Sequence, residues 1–162
     1  MTLGNQVEWA LHCMSILAGM PPDAMVPAKV LAEFHGVPKE YLSKALQALS
    51  NAGLVETTLG PKGGYRLAKP ASAISFLDIV EAVEGRKKTF QCHEIRRENP
   101  CIPKKSAAYS DICGIAAVMH QADQAWRFVL KQKKLSETVK EVAEVLGPEN
   151  LKKTAAWFAE KI

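Results

Sequence analysis

No stretch of this 162-residue chain approaches the uninterrupted apolar run of about 18 residues that crosses a bilayer, so no membrane span is expected. The first residues lack the basic segment, apolar run and small-residue cleavage site of a secretion signal, which points to a cytoplasmic, reducing compartment. Charge of one sign is not concentrated either. The formal charge is +4, yet residues 1–89 hold nine basic and eight acidic side chains, so charge alone does not suggest nucleic acid. A Ser-His-Asp set, a phosphate loop and a dinucleotide fingerprint are all missing, and an enzyme is not expected. None of the four cysteines has the paired two-residue spacing of a structural zinc knuckle, which weakens a zinc reading. The length suits one domain, or a small domain with an extension.

What is present begins with the stretch from Val26 to Leu67. Val30, Leu31 and Phe34 form the apolar face of a short helix, Pro27 suits its first turn, and Gly36 supplies a left-handed stop. The corner His35-Gly36-Val37 leads to a second helix from Pro38, with Leu42, Ala45, Leu46 and Leu49 on one side, ended by Asn51 and Gly53. Its other side carries Lys39, Ser43, Lys44 and Gln47. Leu54–Thr58 and Tyr65–Leu67 read as two strands joined by LGPKGG. Two helices with a glycine-containing corner of this length match the helix-turn-helix pattern, and the hairpin would be its wing. A recognition helix of roughly 20 Å presents its first two turns to base edges in the major groove of double-stranded DNA. In the wing, Gly63 and Gly64 would let backbone amides approach phosphate, while Lys62 and Arg66 supply charge.

Residues 3–19 read as an amphipathic first helix ended by Gly19, with Glu8 early in the helix and His12 and Cys13 among apolar neighbours, where they need no special chemistry. After the wing, Ser75 and Asp78 form the capping pair of a helix through FLDIVEAVEG. An irregular segment, FQCHEIRRENPCIPKKSAAYSDICG, then holds three cysteines, with eight residues between Cys92 and Cys101 and eleven between Cys101 and Cys113. So long a loop in a compact domain needs a reason. A metal or iron-sulfur cluster is one; a disulfide is disfavoured in a reducing compartment, and zinc stays open. From Asp111 to Lys133, Ile112, Ile115, Met119, Ala122, Trp126 and Val129 fall three and four apart, close to a heptad seam. Val118, Ala125 and Phe128 widen that face, so one side is expected to meet the chain's own domain and the other a second subunit. His120 is expected to face solvent. Ser136 should cap the next helix, Pro148 should start the last one, and Trp157 and Phe158 should dock it on the body.

These segments fall in the order NQVEWALHCMSILAG, VPKEYLSKALQALSNAGLV, GPKGGYRLAKPASAISFLDIVEAVEG, cysteine loop, long helix. The order resembles the Rrf2 family of bacterial winged-helix regulators, which includes the iron-sulfur and nitric-oxide sensing types IscR and NsrR. The resemblance covers nearly the whole chain. It implies a mostly α fold with a small β-hairpin wing: a winged helix-turn-helix domain over 1–85, a cluster loop over 86–110, a dimerisation helix over 111–133 and C-terminal helices over 134–162. It also implies a homodimer on a palindromic operator, acting as a repressor under control of a cluster. The cysteine gaps are wider than in the cluster-binding members with closely spaced thiols. With VEWALHC and FQCHEIR, the chain is more similar to the redox-sensing RsrR type. That likeness implies a [2Fe-2S] rather than a [4Fe-4S] cluster, held by Cys92 and Cys113 of one subunit and by Glu8 and His35 of the partner subunit. Cys101 has no counterpart and stands as a spare thiol or alternative ligand, and His93 is a rival ligand. A winged-helix regulator without a cofactor, answering to a small ligand, a partner protein or thiol oxidation, is the competing reading.

Overall fold

The computed structural model describes residues 2–60 and 63–162. Where apolar residues recur at helical spacing, helices form: α1 (Asn5–Gly19), α2 (Ala28–His35) and α3 (Lys39–Asn51). Gly36 takes the left-handed conformation at φ 63°, and its N–H and that of Val37 close the end of α2 on the carbonyls of Glu33 and Ala32. The corner to α3 is therefore only three residues long. Gly53, at φ 67°, turns the chain out of α3 into β1 (Val55–Thr58), which pairs antiparallel with β2 (Gly64–Leu67) in the register Val55↔Leu67 to Thr58↔Gly64. Ser75 and Asp78 make the expected reciprocal cap of α4 (Phe76–Glu84). A long loop with two single-turn helices follows, then α5 (Gly114–Gln132) and α6 (Leu135–Lys161), which kinks at Gly147 before Pro148.

One core serves the whole assembly. Met14, Leu31, Leu42, Leu46, Leu49, Ile74 and Ile79 are fully buried where α1 packs on α3 and α4. Phe158 from the far end of α6 joins them at 1% exposure, its ring 4.8 Å from that of Phe34. The tail thus docks as the sequence suggested. The α5–α6 junction is stitched to the start of α4, because Phe76 N–H donates to the Lys133 carbonyl and Leu135 N–H to the Ile74 carbonyl. Arg127 on α5 ties the same regions together, pairing with Glu81 of α4 and with Asp123.

Several expectations shift. Gly19 is the last helical residue of α1 without a left-handed φ; the chain leaves through an extended Met20. Lys134, not Ser136, precedes α6, because the backbone pairing with α4 sets where that helix begins. Ile112 lies ahead of α5, so it is exposed without belonging to the helical seam. Ile115, Val118, Met119, Phe128 and Val129 are exposed on α5. Trp126 is not with them: it is half-buried in the crevice between α4 and α5, beside Val80 and Glu84. Its angular position lies at the border between the two apolar faces, and the intrachain face takes the large ring. His120, expected in solvent, is half-buried with its ring 6.0 Å from Phe90.

Candidate functional site

Helix α3 buries Leu42, Ala45, Leu46 and Leu49, which leaves Lys39, Lys44 and Gln47 exposed and Ser43 half-buried on the opposite side. Tyr41, which periodicity did not single out, is 54% exposed on the same helix, with the Lys44 ammonium 5.6 Å from its ring centre. An exposed aromatic in the first turn of a polar helix face was the available signal. Gln47 donates to Asn51 Oδ1 at 3.1 Å, which holds its amide along the helix.

The wing glycines are required by packing. A Cβ on Gly63 would lie 2.2 Å from the Thr58 carbonyl oxygen, and one on Gly64 would lie 2.5 Å from the Val26 carbonyl carbon. Val26 and Tyr65 exchange both backbone hydrogen bonds at 3.0 and 2.9 Å, so β2 is clamped to the segment entering α2 one residue from its tip end. The Gly63 N–H, expected to face phosphate, donates instead to the Gly60 carbonyl and closes the turn. Arg66 is paired with Glu56 across the ladder at 2.8 Å, both exposed, so its charge is shared within the wing. Lys62 lies outside the described residues.

A second constellation sits at the corner before α3. Glu8 and His12 of α1 line a crevice with His35, Trp9 and Val37. The His12 and His35 rings are 5.7 Å apart, and Phe34 packs edge-on against His35 at 5.0 Å. His35 Nε2 is buried with no hydrogen-bond partner. Burial, and then the neighbouring His12, lower the His35 pKa below the usual imidazole range. A neutral imidazole with an unspent nitrogen is a ready ligand for a metal ion. Sequence reasoning set His12 aside; one helical turn after Glu8, it shares that residue's face. Cys13, on the buried side of α1, has its thiol pushed up to about 12 by burial and is inert packing.

The cysteine loop is built differently. Glu94 sits at φ 51° and its N–H points at Cys92 Sγ, 3.4 Å away. Its carboxylate receives the Arg96 guanidinium in a two-point pair, and Arg96 Nη2 also donates to the Asp111 carbonyl at 2.9 Å. Arg96 is held above its ordinary pKa first by the Glu94 hydrogen bond and then by the charges of Glu94, Cys113 and Cys92. Both thiols therefore lie near one guanidinium. Cys92 is exposed and Cys113 half-buried, just ahead of α5. Cys101 is exposed on the far part of the loop, where its N–H donates to Asn99.

Glu8 and His35 thus line one crevice, and Cys92 and Cys113 lie on the loop shaped by Arg96. Among the described residues, no three His, Cys, Asp or Glu side chains of one protomer gather closely enough to hold a metal ion. Among the described residues no helix is long and apolar enough to cross a membrane.

Residues 3–141 match the Rrf2 family model, described as an iron-dependent transcriptional regulator. Among curated proteins, the chain is 35% identical over 141 residues to protein aau3 of Rhizobium meliloti, covering 86% of each. It is 28% identical over 137 residues to the transcriptional regulator NsrR of Halalkalibacterium halodurans, covering 85% of this chain and 89% of that one. Its fold is that of CymR, the global cysteine regulator of B. subtilis, with a TM-score of 0.68 at 21% identity over 87% of this chain and 98% of CymR. The IscR of T. potens overlays similarly, with a TM-score of 0.67 at 21% identity over 91% and 93% of the two chains.

Proposed function

The chain belongs to the Rrf2 family of DNA-binding transcriptional regulators, and from that premise we propose that it is a cytoplasmic homodimeric repressor whose grip on a palindromic operator is set by an iron-sulfur cluster. In this reading residues 1–85 bind DNA, 86–110 carry thiols to the cluster, 111–133 pair the protomers through the exposed apolar side of α5, and 134–162 brace the body. Lys39, Ser43, Lys44 and Gln47 read base edges, with Tyr41 beside them and Arg66 near phosphate. The cluster, [2Fe-2S] in preference to [4Fe-4S], takes Cys92 and Cys113 of one protomer and Glu8 and His35 of the partner subunit, as in the RsrR type. Cys101 is left as the alternative thiol.

The observation that carries the metal reading is the pair of incomplete half-sites. His35 keeps a buried nitrogen without a hydrogen-bond partner, while Cys92 and Cys113 lie on the loop that Arg96 ties to Glu94 and the Asp111 carbonyl. An unpaired buried polar atom costs about 1–3 kcal/mol, which a ligand bond would recover. The residues therefore fit such a group, and two sulfur donors with one oxygen and one nitrogen donor suit iron better than magnesium or calcium. When bound, the cluster supplies a one-electron redox centre whose potential is tuned by its non-thiolate ligands. The chain's own contribution is positional. His35 ends α2 and stands four residues before Lys39, so a small displacement of its ring passes across the corner to the first turn of α3.

Anaerobic reconstitution should give coloured protein with equal iron and sulfide. Cys92→Ala and His35→Ala should each remove or alter the visible spectrum. Colourless protein without iron or sulfide would end the cofactor reading. Lys44→Ala or Gln47→Ala should weaken specific operator binding by about 1–3 kcal/mol, read by titration against a site selected from random duplexes.

A second reading has its own observation. A cavity of about 670 Å³, lined largely by apolar residues including Leu11, Ile16, Phe34, Val142 and Leu146, opens beside Glu8 and His35. Thr138 also lines it and has a buried hydroxyl without a partner. That volume suits a small effector. Metal-free protein whose operator affinity responds to such a molecule would favour this cofactor-free regulator.

A further inference from the structure

Leu59 is 99% exposed, the most exposed large apolar residue among those described. A single exposed leucine is ordinary on a protein surface. This one is different in following directly on a clamped strand pair. The ladder runs to Thr58↔Gly64, the Val26–Tyr65 pairing clamps β2 one residue from that end, and the backbone around Gly63 leaves no space even for a methyl group. Leu59 follows Thr58 directly and precedes Gly60 at φ 106°, so it projects from a hairpin end whose position is set by the body that carries the recognition helix.

With α3 in the major groove, a hairpin beside it meets the phosphate ridge and then the minor groove. That groove is about 6 Å wide, which admits a hairpin tip but not the hairpin's breadth. Leucine has nothing to offer a phosphate. The minor-groove walls are sugar carbons, and its floor differs between base pairs in one respect: G·C carries the guanine 2-amino donor. An apolar side chain seated over A·T displaces water without orphaning a donor. Over G·C it strips water from the amino group and returns no hydrogen bond.

We propose that Leu59 is a specificity-determining residue that reads the minor groove flanking each half-site and selects A·T pairs by rejecting the guanine 2-amino group. This rests on the DNA-binding reading of α3 but needs no cluster. The chemistry also provides the test, because an inosine·cytosine pair lacks only that amino group and keeps the major-groove face of guanine. Full-length protein is titrated, at fixed salt, against a duplex selected from a random pool. Each flanking position is presented in turn as A·T, G·C and I·C.

The expected result is that about two or three adjacent positions per half-site bind A·T and I·C alike. These should bind about tenfold tighter than G·C, the scale of burying one apolar side chain. Leu59→Ala should level the three duplexes without changing the salt slope, since no charge is altered. Leu59→Met should keep the preference. Because Leu59 touches no core, both variants should melt with the parent. Equal binding of I·C and G·C by the parent, or an undiminished preference in Leu59→Ala, overturns the proposal and leaves the α3 reading intact. Failure of the parent to enrich any duplex overturns both.

Discussion

The corner that carries Glu8 and His35 and the loop that carries Cys92 and Cys113 are made by opposite means. The corner stands on helix packing: α1 on one side, α2 on the other, and the aromatic stack of Phe34, Trp157 and Phe158 behind it. The loop has almost no buried apolar residue apart from Tyr109, and its shape comes from charge: Arg96 joins Glu94 to the Asp111 carbonyl, and Arg96 and Arg97 both lie 5.6 Å from the Tyr109 ring centre. Helix packing places side chains stiffly and independently of salt. A charge clamp at the surface is softer and screened. The comparison sets a rigid histidine beside the recognition helix against thiols carried on a softer, charge-shaped segment.

The difference is broken most severely from the packed side. Phe158→Ala should cost about 3–5 kcal/mol, read as a lowered denaturant midpoint, and should loosen the His35 corner with it. An unchanged midpoint would mean that the tail does not brace α2. On the loop side, Arg96→Gln should leave global stability within about 0.5 kcal/mol, because Arg96 braces a surface loop outside the main core. Amide exchange over residues 92–112 should quicken, and cluster uptake should weaken by roughly 10–100-fold. If exchange there stays slow, the guanidinium is not what shapes the loop.

A smaller effect sharpens the comparison at a site that belongs to neither half. Burial alone would raise the Asp78 carboxyl, but the hydrogen bonds from Ser75, with the charges of Lys69 and Lys134, outweigh it and hold the pKa below the usual carboxylate range. A lowered folded-state pKa stabilises above the unfolded value near 3.9, and that contribution fades as pH falls through the folded value. Asp78→Asn should therefore cost about 1 kcal/mol at neutral pH, and the gap to the parent should close below about pH 4. A gap that persists in acid would assign the loss to helix geometry rather than to ionisation.

Much of the fold was written in local chemistry. The stop at Gly36, the exit at Gly53, the Ser75–Asp78 cap, the break before Pro148 and the polar side of α3 each depend on residues within a turn or two of one another. Periodicity and caps report such things directly, because a helix repeats itself. What periodicity could not resolve was which of two adjacent apolar faces would take a given residue. Trp126 went to α4 and Ile115 stayed on the exposed side of α5, although both occupy the expected seam.

The amino-acid order by itself determined the reading head: a short-cornered helix pair, a tight wing, and the family that owns them. Only the tertiary arrangement decided that His12 would stand beside His35, that Arg96 would lie near two thiols 21 positions apart, and that Leu59 would follow a strand pair clamped near its outer end. The physical reason is range. Turns and helices are settled by neighbours along the chain, whereas these meetings depend on how whole elements pack, and packing energy is shared among many side chains, none of which announces the outcome alone.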